Sequence, residues 1–265
     1  MKFEDLDRKM RVFETVDDHC ILPGINIVVR IDGRGFTHLT KEVHQFEAPY
    51  DERFRDMMVE TTRHLMNCGF KALYGYTQSD EISIVLDQKD ETFGRKTRKL
   101  VSILAGEASA RFSLLIGSVA SFDCRISQFP KTEMIVDYLR WRQEDAYRNF
   151  INGHCYWALR KAGHTAQEAT AALVNKPVWA KKSIICKVGG ISHRLLPNWQ
   201  KHGIGVSFED YEIMGVNPLT GSAQATLRRR LKTDDDLPTG ERYSDLIRSL
   251  LERDERSHSD RSLGA

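Results

Sequence analysis

The chain has 265 residues, and its 39 Lys and Arg against 37 Asp and Glu leave a formal net charge of +2. That length supports one sizeable core with an appendage, or two small domains. The balanced charge excludes a broadly polycationic protein but permits local basic patches, and no run of about 18 apolar residues is present to cross a membrane.

In chain order, the opening MKFEDLDRKMRVFE mixes acids and bases and lacks the apolar stretch of a signal peptide. The first strong strand is Ile25 to Ile31, rich in β-branched residues, opened by Pro23-Gly24 and ended by Asp32-Gly33. From Tyr50 to Cys68 the residues Phe54, Met57, Met58, Leu65 and Met66 fall at helical spacing. Two strands follow, Ala72 to Thr77 and Ile82 to Leu86, separated by the polar Gln78-Ser79-Asp80-Glu81. Leu100, Leu104, Ala108, Phe112 and Leu115 predict a second helix, and Val119 to Ile126 a fourth strand. The order β-α-β-β-α-β predicts an α+β fold: a ferredoxin-like sheet with helices on one face.

Beyond Pro130, Thr132 to Ala162 reads as helical, with Trp141 and Trp157 as apolar anchors. Lys176-Pro177 to Tyr211 reads as short strands broken by Gly189-Gly190, Pro197 and Gly203. Ala223 to Gly240, with Arg228-Arg229-Arg230 and Asp234-Asp235-Asp236, reads as a linker. Glu241 to Glu255 is amphipathic and predicts a helix docked on the body or on a partner, followed by a frayed end from Ser257 to Ala265. These divisions give a core over 1–130, a helical and short-strand portion over 131–222, and a linker with tail helix over 223–265. The five cysteines (Cys20, Cys68, Cys124, Cys155 and Cys186) are odd in number and lack CxxC spacing. That argues against disulfides or zinc and for a reducing, cytoplasmic setting.

Two acids separated in sequence are expected to meet. In a ferredoxin-like sheet the first and third strands are antiparallel neighbours, so Asp32 at the exit of one lies beside Asp80 at the entrance of the other. Two crowded carboxylates are costly when both are ionised unless a cation sits between them. Mg²⁺ suits oxygen ligands and also accepts phosphate oxygens and water. A pair of such ions, about 4 Å apart, clamps the attacking and leaving oxygens of a phosphoryl displacement. Pattern alone leaves the alternative open: Asp-Gly also reads as a turn, and Ser-Asp-Glu as a hairpin tip. Gly33-Arg34-Gly35 leaves the backbone beside Asp32 open to an anionic phosphate chain.

Three motifs read together resemble the tRNA(His) guanylyltransferase family and its archaeal and bacterial guanylyltransferase-like branch. They are Arg30-Ile31-Asp32-Gly33-Arg34-Gly35-Phe36, Gln78-Ser79-Asp80-Glu81 and Phe122-Asp123-Cys124-Arg125. The stretches Asp137 to Asp145 and Tyr156-Trp157-Ala158-Leu159 are similar too, and the resemblance covers about Met1 to Tyr211. It implies a polymerase-like palm that adds nucleotides in the 3′→5′ direction to the acceptor end of tRNA, with GTP and ATP as substrates, and a tetrameric assembly. It implies two Mg²⁺ ions held by Asp32, the Gly33 carbonyl and Asp80, with the triphosphate along Gly33, Arg34, Gly35, Phe36, Thr37 and Ser79. Glu81 stands open as a catalytic ligand, an acceptor behind the ligands or a hairpin residue. Asp123 stands open as part of the acidic site or as a strand residue paired with Arg125. Arg95, Lys96, Arg98 and Lys99 form a basic cluster at the start of the second helix, where Arg95 and Lys99 share a face and Arg98 lies close by. The resemblance brings this cluster, Arg95, Lys96 and Lys99 above all, to the triphosphate oxygens.

Departures narrow the implied activity. Where the eukaryotic members carry His-Ile-Asn-Asn, this chain has Tyr147-Arg148-Asn149-Phe150; Thr37, followed by His38, replaces a His, and Ala48 replaces a Lys. These changes fit the branch that restores missing 5′ nucleotides on a template. Candidates for RNA contact are Arg140, Arg142, Arg148 and Asn149 with Trp141 and Tyr147, and the patch Lys181, Lys182 and Lys187. Rival readings on a palm are a nucleotide cyclase, a forward polymerase and a non-catalytic tRNA-binding module.

Overall fold

The computed structural model describes residues 2–216 and 222–262. Helix α1 (Phe3–Thr15) precedes strand β1 (Asn26–Arg34), and a short α2 (Phe36–His38) runs into a π-helical turn, Leu39–Val43. Then come α3 (Glu52–Leu65), β2 (Ala72–Gln78), β3 (Glu81–Leu86), α4 (Thr97–Ile116) and β4 (Ser121–Phe129). The second half adds α5 (Glu133–Lys161), α6 (Ala166–Leu173), α7 (Val178–Lys187) and α8 (Asn198–His202). It closes with β5 (Ile204–Val216), β6 (Ala223–Asp234) and α9 (Glu241–Ser262). The expected β-α-β-β-α-β order is present, in one antiparallel sheet of order β4-β1-β3-β2-β5-β6.

Alternation along β1 splits its side chains between two cores. Ile27, Val29 and Ile31 join Ile82, Ile84 and Leu86 of β3 under α3 and α4, where Leu65, Leu104 and Phe112 are buried. Val28 and Val85 face the other way, with Tyr74 and Tyr76, against Leu139 of α5 and Tyr243 and Ile247 of α9. Helices therefore cover both faces of the sheet, not the one face expected, because α5 and α9 return across it. Local signals set the ends: Asp51 caps α3 by accepting from the Arg53 N–H at 2.8 Å, and Gly117, at φ 74°, ends α4.

Two expectations for the second half are corrected. Lys176 to Tyr211 is not a set of short strands but α7, α8 and the first part of β5; Gly189-Gly190, Pro197 and Gly203 punctuate helices. Residues 223–234 are not a linker but β6, paired with β5 along its whole length. This ribbon escapes the apolar alternation rule because its outer part has no buried face. Charge and cation–π pairs hold it instead: Glu209 to Arg230 at 2.7 Å, Arg229 over Phe208 at 4.2 Å and Arg230 over Tyr211 at 4.8 Å.

Helix α9 docks on the body, with Tyr243 and Ile247 fully buried. It extends to Ser262, past the expected start of fraying, and the last residues, 263–265, lie outside those described. Ile247→Ala is expected to lower the unfolding free energy by about 2–5 kcal/mol, the range for a buried Ile truncation. Urea denaturation measures this, and a change below about 0.5 kcal/mol, the size of an ordinary surface substitution, contradicts the docking.

Candidate functional site

Strand β1 does not stop at Asp32. Gly33 and Arg34 still pair with Phe122 and Ser121 of β4, so Asp-Gly here is extended strand rather than a turn. Asp32 lies opposite Glu81 on one side and Asp123 on the other. The Gly33 N–H donates to the Asp80 carbonyl at 3.0 Å, fastening the β2–β3 turn to the end of β1. In that turn Ser79 takes a left-handed φ of 50° and its hydroxyl donates to the Asp80 carboxylate at 3.1 Å. Burial, and then the Asp32 charge, push the Asp80 carboxyl above its ordinary range, with Arg30 among the groups opposing the shift. A divalent cation between the two would remove that penalty. Among the described residues no group of three or more His, Cys, Asp or Glu converges on one metal position. An ion here would therefore complete its shell with backbone, substrate and water oxygens, which is the chemistry Mg²⁺ accepts.

The loop after Asp32 has a definite scaffold. A Cβ on Gly33 would stand 2.6 Å from the Phe36 ring, so glycine is required there. Gly35, at φ 72°, turns the chain into α2. Phe36 is buried against Phe54, Phe112 and Phe122, with ring centroids 6.1, 5.1 and 4.8 Å away. Its ring anchors the loop within the core, and the residue also lines the cleft beside Asp80. Arg34, Gly35 and Thr37 remain exposed.

Glu81 is not free to ligate a metal. Arg142 of α5 grips both carboxylate oxygens, at 2.7 and 2.9 Å, and Arg30 reaches the same group at 2.7 Å. Arg30 also touches Asp32 at 3.4 Å. Burial pushes the Glu81 carboxyl up, and the two guanidiniums oppose it. Arg142 is itself buried and bonds Asp145 at 3.0 Å, so it cannot meet RNA as expected. Asp145 accepts from Asn149 at 3.4 Å. Asp123, opposite Asp32 in the sheet, pairs with Arg125 at 3.5 Å.

The basic cluster is corrected most strongly. Phe93, Gly94 and Arg95 have positive φ values of 54, 61 and 55°, so Arg95 lies in a turn and α4 begins only at Thr97. The buried Arg95 guanidinium donates to the carbonyls of Ile21, Ile25, Gln88 and Asp90. It closes the end of the sheet where β1 starts and β3 finishes. Asp32 sits five residues past Ile27, about 17 Å along the strand. Lys96 pairs with Asp18 at 2.7 Å, Arg98 with the same Asp18, and Lys99 lies over the Phe93 ring. Arg95, Lys96 and Lys99 therefore do not reach the aspartate pair of their own chain.

A cleft of about 300 Å³ opens beside Asp80, Ser79 and Thr37. Phe46, Glu47, Tyr50 and Asp51 form one wall, and Asn149 and Trp157 of α5 with Trp199 of α8 another. Two hydrogen bonds and an ion pair fix Asp51: the Glu47 and Arg53 N–H groups donate at 2.8 Å and the Arg53 guanidinium at 2.7 Å, holding its carboxyl well below the ordinary range. Phe46, Glu47, Asp51 and Trp199 were not singled out by sequence, and Asn149 and Trp157 only as an RNA contact and an apolar anchor. Asp51 shows a helix-cap signal, but nothing local tells that it faces a cleft with Trp157 and Trp199.

Of the RNA candidates, Asn149 lines the cleft and Arg148 is exposed. Arg140 pairs with Glu241 at 3.5 Å, Lys181 donates to Asn152 at 2.9 Å, and Lys182 lies over the Tyr147 ring at 5.5 Å.

This chain and its fold have counterparts among known proteins. The family model described as tRNAHis guanylyltransferase matches residues 7–130, and that described as Thg1 C terminal domain matches residues 133–247. A Schizosaccharomyces pombe protein named tRNA(His) guanylyltransferase is 32% identical over 192 residues, covering 69% of this chain and 73% of the relative. Against the longer Arabidopsis thaliana tRNA(His) guanylyltransferase 2, 31% identical over 186 residues and 67% of this chain, the match spans 34% of the relative. A bacterial tRNA(His) guanylyltransferase (Thg1)-like protein solved in complex with ATP superposes with a TM-score of 0.74 at 25% identity, covering 95% of this chain and 99% of that one. Its counterpart in complex with GTP gives 0.71 at 26% identity, covering 93% and 99%. Palm-type sheet, ordered motifs and matches along nearly the whole chain agree: this protein belongs to the tRNA(His) guanylyltransferase family.

Proposed function

We propose that the chain is a template-dependent nucleotidyltransferase that adds GTP or other nucleotides, 3′→5′, to the 5′ end of tRNA. The observation that carries this reading is the Asp32–Asp80 pair, brought together by the Gly33–Asp80 backbone bond, with Asp80 lining a cleft of about 300 Å³. The names of the family and of the ATP- and GTP-bound relatives support the substrates.

The reaction has two halves, each a phosphoryl transfer. For a monophosphorylated end, a 5′-phosphate oxygen attacks the α-phosphorus of ATP; pyrophosphate leaves and an adenylylated 5′ end remains. The 3′-hydroxyl of the incoming nucleotide then attacks the 5′-phosphorus, and AMP leaves with the bonding electron pair. An end that already bears a triphosphate needs only the second half. Mg²⁺, held by Asp32, Asp80 and the Gly33 carbonyl, would neutralise charge on the reacting oxygens. Ser79, Thr37 and the exposed backbone of Arg34 and Gly35 border the path of the triphosphate, while the aromatic wall of the cleft suits a base and excludes water. Glu81, neutralised by Arg30 and Arg142, holds the β3 end of the aspartate pair in place.

The reading extends to a homo-tetramer, supported by the exposed apolar residues Phe3, Leu6, Met10 and Phe13 of α1, and to a cytoplasmic setting, supported by the free cysteines. Incubation of a 5′-truncated tRNA with labelled nucleotides tests the activity. Label is expected at the 5′ end and in the order dictated by the opposing strand. A 3′-extended product or a cyclic nucleotide contradicts it.

A further inference from the structure

Acids and bases are nearly equal in number along the chain, yet residues 169–208 contain no Asp or Glu. The same stretch carries Lys176, Lys181, Lys182, Lys187, Arg194 and Lys201. It builds most of α6, all of α7 and α8, and the start of β5. Among the described residues none of these six cations makes a salt bridge, although Arg194 has the same side chain as the paired Arg30, Arg142 and Arg230 elsewhere. Their substitutes are neutral: Asn152 for Lys181, the Tyr147 ring for Lys182 and the Arg194 carbonyl for Lys201. Asp236, from the segment between β6 and α9, faces Lys201.

The cations also gather. Lys201 donates to the Arg194 carbonyl at 3.0 Å, and Lys182 lies over Tyr147, which stacks on His202 beside Lys201. Burial, and then the charges of Lys182, Arg194 and Lys201, lower the His193 imidazole from its ordinary range. Like charges that outnumber the acids facing them, here Asp236 beside Lys201, cost free energy that an anionic partner removes. Aromatic surface accompanies the charge. Trp179 is 75% exposed and stands three residues before Lys182, on the same face of α7. Tyr147 stacks on His202 with planes 6° apart, beneath Lys182. Cationic side chains beside an exposed tryptophan are the makings of a nucleic-acid surface.

The surface adjoins the cleft. Trp199 and Gln200 of α8 line it, and His202, on the same short helix, belongs to the basic side with Tyr147 and Arg148.

We infer that the acid-free face of α7 and α8, with Lys182, Arg194 and Lys201 at its centre and Trp179 at its edge, binds the sugar-phosphate backbone of RNA and leads its 5′ end to the cleft. This rests on the nucleotidyltransferase reading for the identity of the RNA, but not for the binding itself. Phosphate contacts carry no sequence information, so the face grips tRNAs alike and leaves selection to base pairing at the cleft.

The test uses the full chain and an unmodified tRNA transcript, with binding read by fluorescence anisotropy across a KCl series and no turnover. Each phosphate contact contributes roughly 0.7–0.9 to the slope of log affinity against log salt. The Lys182→Ala/Arg194→Ala/Lys201→Ala variant is expected to bind about 10- to 100-fold more weakly with a slope reduced by about 2. Trp179→Ala should weaken binding about fivefold with the slope unchanged, as loss of stacking does. Should the triple variant misfold by circular dichroism, Lys176→Ala/Lys187→Ala, both at exposed positions, replaces it with an expected slope loss of about 1. Unchanged affinity and slope overturn the inference. So does an altered mass in light scattering with RNA binding intact, which would make the face a contact between protein chains. Weakened RNA binding in a protein whose wild type adds no nucleotide sustains the surface and instead refutes the proposed activity.

Discussion

Asp80→Asn is expected to cut nucleotide addition by about 10³ or more, since losing half of a two-metal site forfeits several kcal/mol of charge stabilisation. Affinity for tRNA should stay within about twofold, because the basic face is built on other helices. The same change should raise the thermal midpoint of the metal-free protein. Burial and the Asp32 charge lift the folded-state pKa of Asp80 above its unfolded value. The protonated carboxyl is thus the form the fold prefers, and its stabilisation is lost as pH rises through that pKa. At neutral pH the ionised group opposes folding, and the neutral amide relieves it. Loss of activity with gain of stability is what a site strained for cation binding predicts. A single-turnover assay and a melting scan on one preparation report both, and a fall in both would indicate mere structural damage.

The second large effect lies at Arg142. Its removal leaves Glu81 buried with Arg30 alone, and Arg30 is then drawn from Asp32. Arg142→Met is expected to cost about 3–5 kcal/mol of stability, the range for breaking one side of a buried pair. It should also lower kcat more than it raises KM for the nucleotide, because the cleft walls are untouched while the aspartates lose their brace. The double variant Glu81→Gln/Arg142→Met should recover much of the stability, since no unpaired charge remains inside. A double variant no more stable than Arg142→Met would show that packing, not charge, holds this junction.

The palm was legible because its signals are local. β-branched runs such as Ile25 to Ile31 and the helical spacing of Leu100, Leu104 and Phe112 are properties of short windows, and strand neighbourhood follows from the β-α-β-β-α-β order. That order alone places Asp32 beside Asp80. The β5–β6 ribbon was not legible: a strand without a buried face has no apolar alternation, and Arg228 to Arg230 read as a loop. Arg95 and Arg142 were misplaced for a related reason. A charged side chain in sequence reads as surface, and only tertiary packing supplies the four carbonyls or the buried carboxylate that let it sit inside. The cleft walls lie further beyond reach, since Asp51, Asn149 and Trp199 come from three separate helical segments that meet only on folding.

The direct trial of the aspartate pair is electron paramagnetic resonance of Mn²⁺, titrated into the protein with a non-hydrolysable GTP analogue. The wild type should take up protein-dependent ions at this site, and both Asp32→Asn and Asp80→Asn should lose them, with Asp123→Asn unaffected. Equal uptake by the wild type and the two aspartate variants would contradict the account.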